Sequence, residues 1–249
     1  MLRRRGWWNA MNMDACPSTT PQPSQRFLRS KTWDEQRHVL LSDYQRMVGL
    51  SHVDVVELCA RYASNVASGY IQGYLYLIRT VSWVFGRDPI ILYWAFVRMV
   101  DVVRPFGPLG KEMGMGSRAL DVAMQHADSQ LDASLLRDLV SVRWGFVLFA
   151  QTFVHREHLL CIWDLIVANP MYIGYIMGAI LHIFRFETQD LMLRLSQTVD
   201  VQVDDLQTTS QIVAIAHLIH NVDVRPETRT SWSSVFKKHQ RQTRFPPRT

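Results

Sequence analysis

Apolar residues return every three or four positions along stretch after stretch of this chain, and no convincing run alternates them one by one. The pattern runs through HVDVVELCARYAS, GYIQGYLYLIRTVSWVF, IILYWAFVRMVDVV, LLRDLVSVRWGFVLFAQTF, EHLLCIWDLIVA, YIGYIMGAILHIF and TSQIVAIAHLIH. That period gathers the apolar side chains on one face of a helix, so each stretch is expected to be helical. Gly, Pro and Ser clusters stand between them, at CPSTTPQPS (16–24), GRDP (86–89), RPFGPLGKEMGMG (104–116) and the Asn169-Pro170 pair. Those are the expected breaks. The fold class that follows is all-α. Several stretches are apolar almost all round, which requires a layered core rather than a simple bundle. A chain of 249 residues with 48% apolar content is large enough to build one. No internal repeat of solenoid period is present.

The same greasiness raises the question of a membrane. LIVANPMYIGYIMGAILHIF (165–184) approaches the length of a bilayer span. Asn169 and Pro170 interrupt it, Asp164 precedes it and His182 lies near its end, so a buried pair of helices is the expected form and no transmembrane segment is assigned. MLRRRGWWNAM is basic and free of acids, as transit peptides are, but has no apolar core of the secretory kind. Cys16, Cys59 and Cys161 are odd in number and share no short spacing. They offer neither a disulfide framework nor a Cys-x-x-Cys site, and a reducing, cytoplasmic compartment is expected.

The formal charge is +5. Beyond residue 230 no acid occurs, while Lys237, Lys238, Arg241, Arg244 and Arg248 do, and these match the whole excess. The basicity is therefore a tail property, and nucleic acid is not the expected partner. Residues 1–228 are expected to form one helical domain with 16–24 as a loop. Residues 229–249 are expected to be a disordered basic tail, the segment that would meet an anionic membrane surface.

Most motifs that suggest chemistry fail on inspection. GPLGKEMGMGS has phosphate-friendly glycines, but Pro105 and Glu112 stand where a P-loop needs Gly and Ser or Thr. His155, His158 and Cys161 are spaced by threes, which drifts around a helix and leaves the sulfur away from the first ring, while His217 and His220 add no matching pair. No metal site is assigned, and no serine or cysteine nucleophile has a recognisable setting. Two constellations remain. In LLSDYQRM, Asp43 and Arg46 lie three apart on one helix face, where a carboxylate can hold a guanidinium, or form no more than a surface ion pair worth about 0–1 kcal/mol. In YIQG, Gln72 offers a donor and an acceptor beside Gly73, with Tyr70 to prop the loop. With Ser68 or Gly69 closing the preceding loop, Gln72 is expected in the first helical turn, where free N–H groups favour a phosphate.

At these residues the sequence resembles the TBC-domain family, the helical GTPase-activating proteins for Rab GTPases. Leu40, Asp43 and Arg46 are similar to its Ile-x-x-Asp-x-x-Arg motif, and Tyr70, Gln72 and Gly73 to its Tyr-x-Gln-Gly. Arg143 and Trp144 in VRWGFVLFAQTF, Trp163 and Asp164 in LLCIWDLI, and the opening LRRRGWWNAM resemble further segments in the family's order. The resemblance implies a TBC-like multi-helix domain of two helical lobes and an activity exercised on another protein's active site. Arg46 and Gln72 would enter a Rab-type GTPase as arginine and glutamine fingers. Asp43 would orient the arginine, Tyr70 and Gly73 would shape the glutamine's loop at the partner interface, and Trp144, Trp163 and Asp164 would be structural. No cofactor of its own is implied, because GTP and Mg²⁺ belong to the partner. A connector between Arg46 and Gln72 shorter than the family's leaves one alternative, a non-catalytic TBC-like scaffold or adaptor that binds a GTPase or a larger assembly.

Overall fold

The computed structural model describes residues 2–45, 52–65, 69–104, 114–125, 144–184 and 202–223. Helix dominates them, and no strand occurs among them. Chain contacts divide the protein into two compact units, Met1–Val100 and Asp101–Thr249.

The first unit begins with α1 (Leu2–Ala10), a single 3₁₀ turn (Met13–Ala15) and the short α2 (Gln25–Leu28). Helix α1 buries Trp7, and both Trp7 and Trp8 lie 6.3 Å from the Phe85 ring. Residues 16–24 carry no helix and lead to Ser24, whose Oγ accepts from Phe27 N–H at 3.1 Å and so caps α2. Next come α3 (Lys31–Gln45) and α4 (His52–Ala63), which pack together. The Ser30 hydroxyl accepts from Trp33 N–H at 3.1 Å in the first turn of α3.

Helix α5 (Tyr74–Phe85) packs on α3 and on α1. The break expected at GRDP is built from separate devices. Gly86, at φ +81°, ends α5 in a conformation that side chains resist. Asp88 then accepts from Ile90 and Ile91 N–H at 3.0 and 2.9 Å, and Pro89 opens α6 (Pro89–Val103) at the position where a missing N–H costs nothing. Tyr62, Tyr74 and Phe96, from α4, α5 and α6, meet edge to face at 5.1–5.6 Å and form the aromatic centre of this unit.

In the second unit the order is α7 (Gly114–Met124), α8 (Arg156–Ala168), α9 (Tyr172–Ile183) and α10 (Leu206–Asp223). The apolar stretch at 165–184 is indeed a helix pair, with Asn169, Pro170 and Met171 as the break between α8 and α9. Helix α9 is buried from Tyr172 through Leu181, with α7, α8 and α10 packed against it. Gly174 lets α7 approach closely, since a Cβ there would lie 2.4 Å from the Ala119 carbonyl oxygen. No helix among the described residues is long and apolar enough to cross a membrane.

Two expectations require correction. The helix expected over 135–153 does not continue to its expected end: Trp144 and Gly145 are π-helical, but residues 146–152 form a series of turns with Leu148 and Phe149 at φ +49° and +61°. Phe153 instead forms an isolated parallel bridge with Val203. The apolar run satisfies burial equally well in a compact turn, because Trp163 of α8 donates its indole N–H to the Leu148 carbonyl at 2.8 Å and supplies the bond that a helix would have made. The loop expected over 104–116 ends earlier, because α7 already includes Gly114.

Candidate functional site

Along α3, Gln36, Leu40 and Asp43 fall at steps of four and three and share one stripe. Leu40 is fully buried and Asp43 is 7% exposed. A carboxylate so placed must find donors, and it does. Asp43 Oδ2 accepts from the Tyr70 hydroxyl at 2.7 Å and from Gly73 N–H at 3.2 Å. This carboxylate is buried and serves the segment that leads into α5. Tyr70 is anchored twice more: its N–H donates to Gln36 Oε1 at 3.1 Å, and its ring stands edge-on to Tyr74 at 6.0 Å.

The segment between these anchors is a tight turn. Gly69 and Gly73 have φ of +62° and +98°, values that L side chains resist. Tyr74 N–H closes on Ile71 O at 3.2 Å. At the apex Gln72 is exposed. It does not lie in the first turn of the helix, as its spacing suggests. Gly73 caps α5 and Tyr74 is the first helical residue, because a residue at φ +98° cannot belong to a right-handed helix. The Gly73 N–H that would have faced a phosphate is taken by Asp43.

Burial, reinforced by Cys59 and Asp43, pushes the Tyr70 phenol far above its ordinary range, so it remains a neutral donor to the carboxylate. Burial, with Asp43 adding to it, likewise pushes the Cys59 thiol up and keeps it protonated. Tyr70 is 6% exposed and Gly73 is buried, so what they offer a partner is the shape of the turn. Arg46 and Arg143 lie outside the described residues. Trp144 and Trp163 are fully buried in the second unit, and Asp164 is half-buried at its edge.

The remaining sequence candidates do not assemble into a site. The His155 and His158 rings meet at 5.2 Å, but Cys161 is exposed. Among the described residues no group of three or more His, Cys, Asp or Glu is placed to hold a metal ion. His217 and His220 pack on Tyr172, with a 2.8 Å hydrogen bond between His217 Nδ1 and the Tyr172 hydroxyl and the His220 ring stacked at 5.1 Å. An open hollow of about 460 Å³, with Pro23, Leu28, Trp33 and Val56 in its lining, contains none of the turn residues.

Sequence reasoning missed Gln36 and took Gly69 only as an end of the preceding loop. The signal for Gln36 was its position seven residues before Asp43, two helical turns up the same stripe. No protein-family model matches the chain, and no curated protein was found to be similar to it.

Proposed function

We propose that this protein is a GTPase-activating protein for a Rab-type GTPase, with Gln72 as a glutamine finger and Arg46 as an arginine finger supplied in trans. The observation that carries the reading is Gln72 itself. Its carboxamide is exposed at the apex of a turn whose two ends are fixed to the side chains of Gln36 and Asp43. A carboxamide held in this way can donate to and accept from an attacking water with little ordering cost at the moment of reaction. Arg46 follows Asp43 by three residues in the sequence and would neutralise charge on the transferred phosphoryl group, an effect worth roughly 10³–10⁵ in rate. GTP and Mg²⁺ would come with the partner, leaving positioning and electrostatics to this chain. The all-α fold and its division into two compact units accord with the two-lobed domain that the resemblance implies. The basic tail adds contact with an anionic membrane surface, where the partner would reside.

Single-turnover hydrolysis by a panel of GTP-loaded Rab-type GTPases tests the reading. The parent is expected to accelerate at least one of them, and Arg46→Ala and Gln72→Ala are each expected to lose about 10²-fold or more. Binding without acceleration would identify an adaptor instead, and neither binding nor acceleration would remove both Rab-centred readings.

A further inference from the structure

The turn that presents Gln72 is held at both ends by one helix. At the far end, Asp43 accepts from Tyr70 Oη and Gly73 N–H. At the near end, Gln36 accepts from Tyr70 N–H through Oε1. Its amide also lies directly on the turn's backbone, since a Cβ at Gly69 would fall 1.9 Å from Gln36 Nε2. Gly69 is thus required twice, for its φ of +62° and for the space that the Gln36 amide occupies.

Resting on the reading of Gln72 as the finger, we propose that Gln36 is a positioning residue: with Asp43 it clamps the Gly69–Gly73 turn from both sides and fixes the direction in which Gln72 points. Gln36 meets the turn at Gly69 and Tyr70. Its effect passes through the Tyr70 backbone and the orientation of the next two peptides. Loss of the near anchor frees the Tyr70 backbone, while Asp43 keeps the Tyr70 hydroxyl and Gly73 N–H, and the peptides between them can then pivot about the Gly73 end. A displacement of about 1 Å at a reacting group costs on the order of 10²-fold in rate. A partly restrained pivot is expected to cost roughly tenfold.

The experiment uses the full chain with Gln36→Met, Gln36→Glu and Gly69→Ala. Met keeps the length and removes the acceptor. Glu keeps an oxygen for Tyr70 N–H. Ala at Gly69 displaces the Gln36 amide from the loop side without altering α3. In Gln36→Met and Gly69→Ala, amide hydrogen exchange of the peptide spanning 69–73 is expected to rise about fivefold to tenfold, the loss of one hydrogen bond. The maximal single-turnover rate with the most responsive GTPase of the panel is expected to fall about tenfold while the half-saturating concentration stays within about twofold. Gln36→Glu is expected to keep both properties within about twofold of the parent. Unchanged exchange in Gln36→Met, an effect confined to half-saturation, or a Gln36→Glu as impaired as Gln36→Met would each overturn the proposal. Should the parent accelerate no GTPase, the catalytic reading fails by itself, and the exchange measurement still decides whether Gln36 holds the turn. If Gln36→Met does not fold, Gln36→Ala, which removes the acceptor and leaves the backbone of the turn unaltered, supplies the same comparison.

Discussion

At the scale of single residues, the most constrained cluster is Asp43, Tyr70 and Cys59. A carboxylate 7% exposed is tolerated because a phenol and a backbone amide both donate to it. Its presence in turn opposes ionisation of the two acids nearby, on top of their burial. In both, the folded state favours the protonated form, whereas the unfolded chain ionises near the ordinary values of 9.0 for cysteine and 10.0 for tyrosine. Above those values the unfolded state binds fewer protons than the folded one, so stability falls as pH rises. The contribution is therefore complete below about pH 9 and lost progressively above it. Urea midpoints measured at pH 8, 9 and 10 should fall in that order, and Cys59→Ala should flatten the step between pH 9 and 10. A midpoint that does not change across this range would show that the two groups ionise alike in both states.

At the scale of elements, the chain's helices were legible where apolar spacing and punctuation agreed. GRDP predicted a stop and a start, and Gly86, Asp88 and Pro89 supply both, each by a local rule that a sequence displays. The Gln72 turn was half legible. Its residues were identified, but the start of α5 was placed too early, because the φ of +98° at Gly73 arises from a tertiary bond to Asp43 that spacing does not reveal. Gln36 was hidden for a related reason: a polar residue partway along a helix has no visible partner until the chain folds back. Residues 146–152 were misread because a buried apolar run has the same composition in a helix and in a compact turn. What separates them is Trp163, whose indole N–H meets the Leu148 carbonyl. Trp163→Phe keeps most of the ring and removes that donor, leaving a buried carbonyl without it. The expected loss is about 1–3 kcal/mol in urea denaturation. A loss within error would mean that the Leu148 carbonyl is satisfied in another way, and that burial alone holds the turn.

At the scale of the whole molecule, charge and apolarity have opposite distributions. Helix α9 is buried along nearly its full length, while the formal excess of +5 is matched by Lys237, Lys238, Arg241, Arg244 and Arg248 beyond residue 230, outside the described residues. This separation was fully legible, since net charge depends on composition and not on packing. A GTPase activator of the proposed kind must find its partner at a membrane, and five cations within a short segment are worth about 1 kcal/mol each near an anionic surface. The attraction is a point-charge effect, so salt must weaken it. Co-sedimentation with phosphatidylserine-containing vesicles at low salt is therefore expected for the full chain. It should drop by more than tenfold on deletion of residues 230–249, and similarly when ionic strength is raised to 0.5 M. Neutral phosphatidylcholine vesicles should retain neither form. Deletion that leaves vesicle association unchanged would assign the contact to another part of the chain, and acceleration of a soluble GTPase should be the same with and without the tail, because both proposed fingers, Arg46 and Gln72, fall within Met1–Val100.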